Sequence, residues 1–262
     1  MPEPTPITLI TGASAGIGAA LANVFADHGH KLVLAARRAP QLKALADAIE
    51  ERGHARPHVV IIDLGQADAA ARIEDELRER SLDPQFLVNN AGFGLMGLAA
   101  SLDRQQQLAM IDLNVRVLTE LSLRFVPSLA RHRGGILNVA SVASFMPGPG
   151  MAVYHATKAY VLSFSEALHR ELGSQGIRVT ALCPGPVETE FMALAGIPDG
   201  NFPNFLVRSA ERVAQEGYDG LMRGRRVVVP GSANKAAALL ARLMPRRLVS
   251  WVLRTVARSD LK

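Results

Sequence analysis

Short runs of apolar and β-branched residues recur along the chain at 6–11, 31–36, 58–62, 86–89, 135–140, 178–182 and 227–230. Runs of this length and composition predict buried strands. Between them, near 16–28, 40–52, 66–80, 103–131, 153–174 and 209–223, apolar residues return every three or four positions. That period predicts amphipathic helices packed by one face. Regular alternation of strand and helix implies parallel strands joined by right-handed crossovers. The expected fold class is therefore α/β: a doubly wound parallel sheet of about seven strands, with helices on both faces.

No linker or internal repeat divides residues 1–231, which predict one domain. The longest irregular connection runs from Val187 to Arg208. Long connections inside compact domains are usually functional. This one follows a strand end, where open α/β sheets take their ligands, so 187–208 is expected to be a substrate loop.

Composition narrows the function classes. Hydrophobic residues are 48% and charged ones 20% of 262, an ordinary globular balance. The lone cysteine, Cys183, excludes an internal disulfide and a four-cysteine metal site. The seven histidines show no ligand spacing, so no metal is expected. The N-terminus lacks a signal-peptide pattern, and no apolar stretch is long enough to span a bilayer. A cytoplasmic protein is the expectation.

The net charge of +5 is uneven. Residues 232–262 hold seven Lys/Arg against one Asp, and the rest hold 22 against 23 acids. The body therefore offers no nucleic-acid surface. The extension reads as two helices, 233–244 and 246–258, broken at Pro245. In the second, Arg247, Ser250, Arg254 and Arg258 oppose Leu248, Val249, Trp251, Val252 and Val256. Packing on the same domain or on a neighbouring subunit is the first expectation for it. Weak contact with an anionic membrane surface is the alternative.

The candidate chemistry starts at Thr11-Gly12-Ala13-Ser14-Ala15-Gly16-Ile17-Gly18, where the first strand meets a helix. Gly12 permits a tight turn, Gly16 lets backbone approach a phosphate, and Gly18 lets the helix pack on the sheet. The helix N-terminus offers free N–H groups to a pyrophosphate. The end of strand two reads Leu34-Ala35-Ala36-Arg37-Arg38, with no acid for ribose hydroxyls. A guanidinium suits a 2′-phosphate in charge and geometry. NADP(H) is the expected cofactor, with Arg37 as the main clamp and Arg38 as helper. Farther along, Tyr154 and Lys158 stand four apart, on one helix face, with Ser141 thirteen residues before the tyrosine. An ammonium beside a phenol favours the phenolate, and a hydroxyl aimed at the same point could hold a carbonyl oxygen.

In this order the motifs resemble the short-chain dehydrogenase/reductase family. The matching pieces are residues 11–18, Asp63-Leu64, Asn89-Asn90-Ala91-Gly92, Asn114, Ser141, Tyr154 with Lys158, and Pro184-Gly185-Pro186-Val187-Glu188-Thr189. The resemblance implies a Rossmann-type sheet. It implies that Tyr154 is the general acid/base, that Lys158 tunes it and holds the ribose, and that Ser141 orients the substrate oxygen. It implies that Asn114 maintains a helix distortion and a water for proton relay. Asp63 and Leu64 would meet the adenine, Asn90, Ala91 and Gly92 would line the adenosine side, and Pro184, Gly185, Val187 and Thr189 would flank the nicotinamide. His155, inside the motif, is expected to face outward. Such enzymes are often dimers or tetramers through the helices near 103–131 and 153–174.

The segments expected around the pocket are apolar: Phe93, Leu95 and Met96; Phe145 and Met146; Phe191, Met192, Leu194, Ile197, Phe202, Phe205 and Leu206. The expected reaction is hydride transfer between NADP(H) and an apolar ketone or secondary alcohol, steroid-like or fatty-acyl-like. A non-catalytic NADPH-binding regulator and a reductase held at a membrane by its tail are the competing readings.

Overall fold

The computed structural model describes residues 3–198 and 200–243. Seven strands form one parallel sheet: β1 (Thr5–Thr11), β2 (Leu32–Ala36), β3 (His58–Ile61), β4 (Leu82–Asn89), β5 (Gly135–Val139), β6 (Arg178–Leu182) and β7 (Val227–Val228). Their order is β3-β2-β1-β4-β5-β6-β7. Each coincides with a run expected from hydropathy. β4 begins earlier, at Leu82, because Asp83 and Pro84 break its apolar pattern while still pairing with Pro6 and Ile7.

Ten α-helices surround the sheet among the described residues: α1 (Gly16–Asp27), α2 (Ala39–Glu51), α3 (Ala69–Glu79), α4 (Arg104–Ile111), α5 (Val117–Arg124), α6 (Val126–Arg131), α7 (Ala152–Glu171), α8 (Glu190–Leu194), α9 (Ala210–Met222) and α10 (Ser232–Leu243). Neighbouring residues on a strand feed opposite cores, as a period of two requires. Ile10, Leu34 and Val88 join Leu21, Phe25 and Val213 on one face. Leu9, Val33 and Leu87 join Ile73, Leu121 and Leu168 on the other. Burial on both faces explains why these strands read as unbroken apolar runs.

Two elements differ from the hydropathy reading. The stretch 103–131 is not one helix. A π-helical turn, Asp112–Arg116, interrupts it, and α6 restarts at Val126 with Pro127 in its first turn, where the missing N–H costs nothing. The irregular segment 187–208 contains α8, whose five residues are too few to show a period. α10 follows the expected 233–244 closely, while the amphipathic stretch 246–258 lies outside the described residues. Among the described residues, no helix is long and apolar enough to cross a membrane, and no three His, Cys, Asp or Glu cluster as metal ligands.

Candidate active site

The candidate residues gather at the C-terminal ends of β1, β4, β5 and β6, beside the reversal of strand order between β1 and β4. Open α/β sheets bind ligands in this crevice.

The glycine turn is built as its sequence requires. Gly12 and Gly16 have φ of +64° and +54°, a region that side chains disfavour. A Cβ on Gly12 would lie 2.8 Å from Ala91 Cα, so the turn presses directly on the end of β4. A Cβ on Gly16 would lie 3.0 Å from Thr189 Cγ2, which seats the turn against the Pro184–Thr189 segment. Gly18 is buried against the Gly12 carbonyl and the Asn90 side chain. Asn90 ties the two strand ends together, its Nδ2 donating to Thr11 O at 3.0 Å and Gly12 O at 3.1 Å. The Asn90 and Ala91 amides both donate to Thr11 Oγ1, at 3.0 and 3.1 Å. α1 begins at Gly16 with no side-chain cap and no acid in its first turn. Its leading N–H groups and glycine-lined approach fit a pyrophosphate.

Beyond that turn, Arg38 rather than Arg37 faces the crevice. Its Nε donates to Ser14 Oγ at 3.2 Å and its Nη1 to Glu190 Oε2 at 2.7 Å. Arg37 is exposed. Asp63 is exposed just past β3, its Oδ1 accepting from the Gly65 amide at 3.0 Å, and Leu64 beside it is buried. Ile17 packs on the core from the first turn of α1.

The reacting group is assembled from three elements. Ser141 follows β5 and caps a short 3₁₀ turn, Val142–Phe145. Its Oγ accepts from the Ala143 amide at 3.1 Å, leaving the hydroxyl proton free to donate. Ser144 returns the cap and donates to the Lys158 carbonyl at 2.7 Å, binding the turn to α7. On α7, Lys158 is 5% exposed; its Nζ donates to Val139 O at 2.8 Å and lies 5.9 Å from the Tyr154 ring centre. Asn114 sits in the π-helical turn, 1% exposed. Its Oδ1 accepts from the Phe93 amide at 3.1 Å, and its Nδ2 donates to Phe93 O at 2.9 Å and to Thr157 Oγ1 at 3.1 Å. Gly92 is the residue that lets Asn114 and Lys158 approach: a Cβ there would be 2.8 Å from Asn114 Oδ1 and 3.5 Å from Lys158 Nζ.

Two expectations are corrected. Lys158 was expected to pull the Tyr154 phenol down. Instead burial pushes Tyr154 up to about 12, only partly opposed by the Ser141 hydroxyl. Burial also lowers Lys158 to about 8. Desolvation disfavours both charged forms. His155 does not face outward: it folds over Gly148, with Nδ1 at 2.8 Å from Met146 O, and burial lowers its pKa.

Around Tyr154 the surface is apolar. Its ring centre is 5.6 Å from that of Phe191, and a Cβ on Gly94 would lie 3.0 Å from Phe191 and 3.2 Å from Met151 and Tyr154. Met96 and Gly97 are pinned by the Ala195 and Gly150 carbonyls at 2.8 and 2.7 Å. Phe145 lies under the Arg242 guanidinium of α10, 5.5 Å away. Leu194 and Phe205 are 72% and 64% exposed. Sequence reasoning missed Ser144, Thr157 and Glu190; single polar residues without a repeating spacing carry no local signal.

Residues 6–196 match the pattern of the short chain dehydrogenase family. Over 188 residues the chain is 39% identical to sulfoacetaldehyde reductase 2 of Chromohalobacter salexigens, spanning 71% of this chain and 74% of that one. A short-chain dehydrogenase from Sphingobium yanoikuyae, solved in complex with NADPH, superposes with a TM-score of 0.80 at 34% identity, covering 98% of this chain and 96% of that one. A bulky-bulky ketone specific alcohol dehydrogenase from Comamonas testosteroni superposes at 0.75 with 31% identity, covering 99% and 95%. The chain belongs to the short-chain dehydrogenase/reductase family. It is an oxidoreductase of alcohol and carbonyl groups on small molecules.

Proposed function

We propose that this enzyme moves a hydride between NADP(H) and the carbonyl of a neutral, apolar ketone. The Ser141 hydroxyl on the Tyr154 phenol, with Lys158 Nζ 5.9 Å from the same ring centre, carries the reading. A nicotinamide bound there would supply or take the hydride at the carbonyl carbon. Ser141 Oγ and the Tyr154 hydroxyl donate to the substrate oxygen and hold it. As negative charge gathers on that oxygen, Tyr154 gives up its proton. A phenol held near 12 stays protonated at neutral pH, which suits it to the reducing direction. Lys158, with Nζ fixed by the Val139 carbonyl, puts a positive charge beneath the phenol and offers its remaining protons to the ribose. Asn114 fixes the Phe93 loop and, through Thr157 Oγ1, which donates to Tyr154 O at 2.7 Å, the turn that carries the tyrosine. Water relay past Asn114 would resupply the proton. Asp63, Leu64, Asn90, Ala91 and Gly92 take the adenosine side, and Pro184, Gly185, Val187 and Thr189 the nicotinamide side.

Three observations support the finer terms. Arg38 beside Ser14, with Arg37 next to it and no acid after β2, favours a 2′-phosphate. Phe191, Met151 and Gly94 around Tyr154 favour an apolar substrate, and the ketone-specific relative accords with that. Leu108, Ile111, Leu123 and Tyr160 are exposed on α4, α5 and α7, a face suited to a homo-oligomer.

The test is a panel of bulky ketones, short aldehydes and acidic carbonyls, followed by nicotinamide absorbance with NADPH and NADH. Turnover of bulky neutral ketones, and a preference for NADPH that falls about tenfold or more in Arg38→Ala, is expected. Preference for NADH, or for acidic carbonyls only, contradicts the proposal.

A further inference from the structure

α10 begins beyond the last strand, yet its first turn reaches back into the site. Asn234 is 2% exposed. Its Nδ2 donates to Leu206 O at 3.0 Å and to Pro230 O at 3.1 Å. The same amide fills the space beside Gly185, where a Cβ would lie 2.5 Å from both its nitrogen and its oxygen. Three separate pieces of chain therefore meet on one side chain: the end of the segment 187–208, the β7–α10 turn and the Pro184–Thr189 segment.

Those pieces are joined to the reacting group by backbone bonds. The Val142 amide, next to Ser141, donates to Pro184 O at 2.9 Å. The Arg208 amide donates to Pro186 O at 3.1 Å, and Val187 bridges Arg208 in parallel. At its far end α10 holds the Ser141 side again, through Arg242 over Phe145. An apolar residue at 234 could fill the same space. An amide is needed to satisfy two carbonyls at once, since a buried carbonyl without a donor is costly.

We propose that Asn234 is a positioning residue that locks both ends of the segment 187–208 into one hinge and so sets the shape of the substrate cleft beside Tyr154. This rests on the proposed role of that segment in holding the ketone. α10 is then a structural member of the site, not an appendage to it.

Asn234→Asp keeps the shape and removes both donors. In the folded variant, KM for the ketone is expected to rise about tenfold while kcat falls less than about threefold, because binding geometry is lost and the proton donor is not. A purely structural role would lower Tm and leave KM and kcat as they are. Hydrogen exchange gives a reading that does not depend on activity. The Val142 and Arg208 amides should exchange at least about tenfold faster in the variant, with β5 and β6 amides unchanged. If the wild-type enzyme reduces no ketone, the functional reading falls and exchange alone decides the hinge. Unchanged KM in an active variant, or faster exchange confined to α10, overturns the proposal. Should Asn234→Asp fail to fold, Gly185→Ala presses on the same contact from the other side. It is expected to raise KM, and adding Asn234→Ala, which relieves the crowding but removes both donors, should leave KM raised; a KM restored to the wild-type value also overturns it.

Discussion

Glu190 and Arg38 decide how a 2′-phosphate would be received. Their ion pair, 2.7 Å long, is partly exposed on both sides, so it stabilises the fold by about 1 kcal/mol at most. A phosphate brought to Arg38 must compete with that carboxylate and lie beside its charge. Glu190→Gln is therefore expected to tighten NADPH binding about two- to fivefold, with little change for NADH, in fluorescence titration. Weaker NADPH binding in the variant would mean that Arg38 needs Glu190 to hold its position. Which of the two arginines turns inward was not legible in the sequence. Both follow β2, and only the three-dimensional neighbours, Ser14 and Glu190, separate them.

Among the elements, a buried polar ladder lies under the site. Asn89 Nδ2 donates to Ser122 Oγ and to Asn138 Oδ1, both at 2.9 Å, and Asn138 Nδ2 donates to Ser165 Oγ at 2.9 Å. Asn89 and Asn138 are register partners on β4 and β5, so the ladder joins α5 to α7 straight across the sheet. Asn138→Ala removes an acceptor and a donor from a fully buried row. A loss of about 1–3 kcal/mol in urea unfolding is expected, more than a surface change would give. The strands themselves were legible because burial on both faces leaves a plain apolar signature. The division of 103–131 was not: the π-helical turn arises where Asn114 bonds to Phe93 and Thr157, contacts far apart in sequence. α8 escaped for want of length.

Across the whole molecule, burial lowers the pKa of a histidine at each end of the sheet, His155 beside the site and His30 far from it. At the end opposite the site, His30 is packed among Phe25, Phe86 and Tyr218, with ring nitrogens at 3.2 Å from Thr8 Oγ1 and 3.3 Å from the Tyr218 hydroxyl. Burial, with His28 and Arg178 nearby, lowers its pKa to about 4. The unfolded chain takes up a proton near the ordinary value of 6.5, and the folded chain does so only near 4. The unfolded state thus binds more protons in between, so this group's share of the stability is present above 6.5 and is lost as pH falls toward 4. Tm should drop across that window in the wild type and drop less in His30→Gln. Equal slopes would show that other groups govern the acid response.

At the same scale, the arrangement of the site was largely legible. Gly12, Gly16, Asn90, Asn114, Ser141, Tyr154 and Lys158 come together at the strand ends as their motifs imply. The electrostatics were not, because spacing reveals proximity but not desolvation, and burial sets the phenol near 12.

The central claim is that Tyr154 delivers the proton to the substrate oxygen. The most direct test compares ketone reduction by the wild type and Tyr154→Phe under NADPH saturation, with folding checked by circular dichroism. The phenylalanine keeps the ring against Phe191 and removes only the hydroxyl. A fall of about 100-fold or more in kcat, with cofactor affinity retained, is the expected result. A variant that reduces the ketone at the wild-type rate would contradict it.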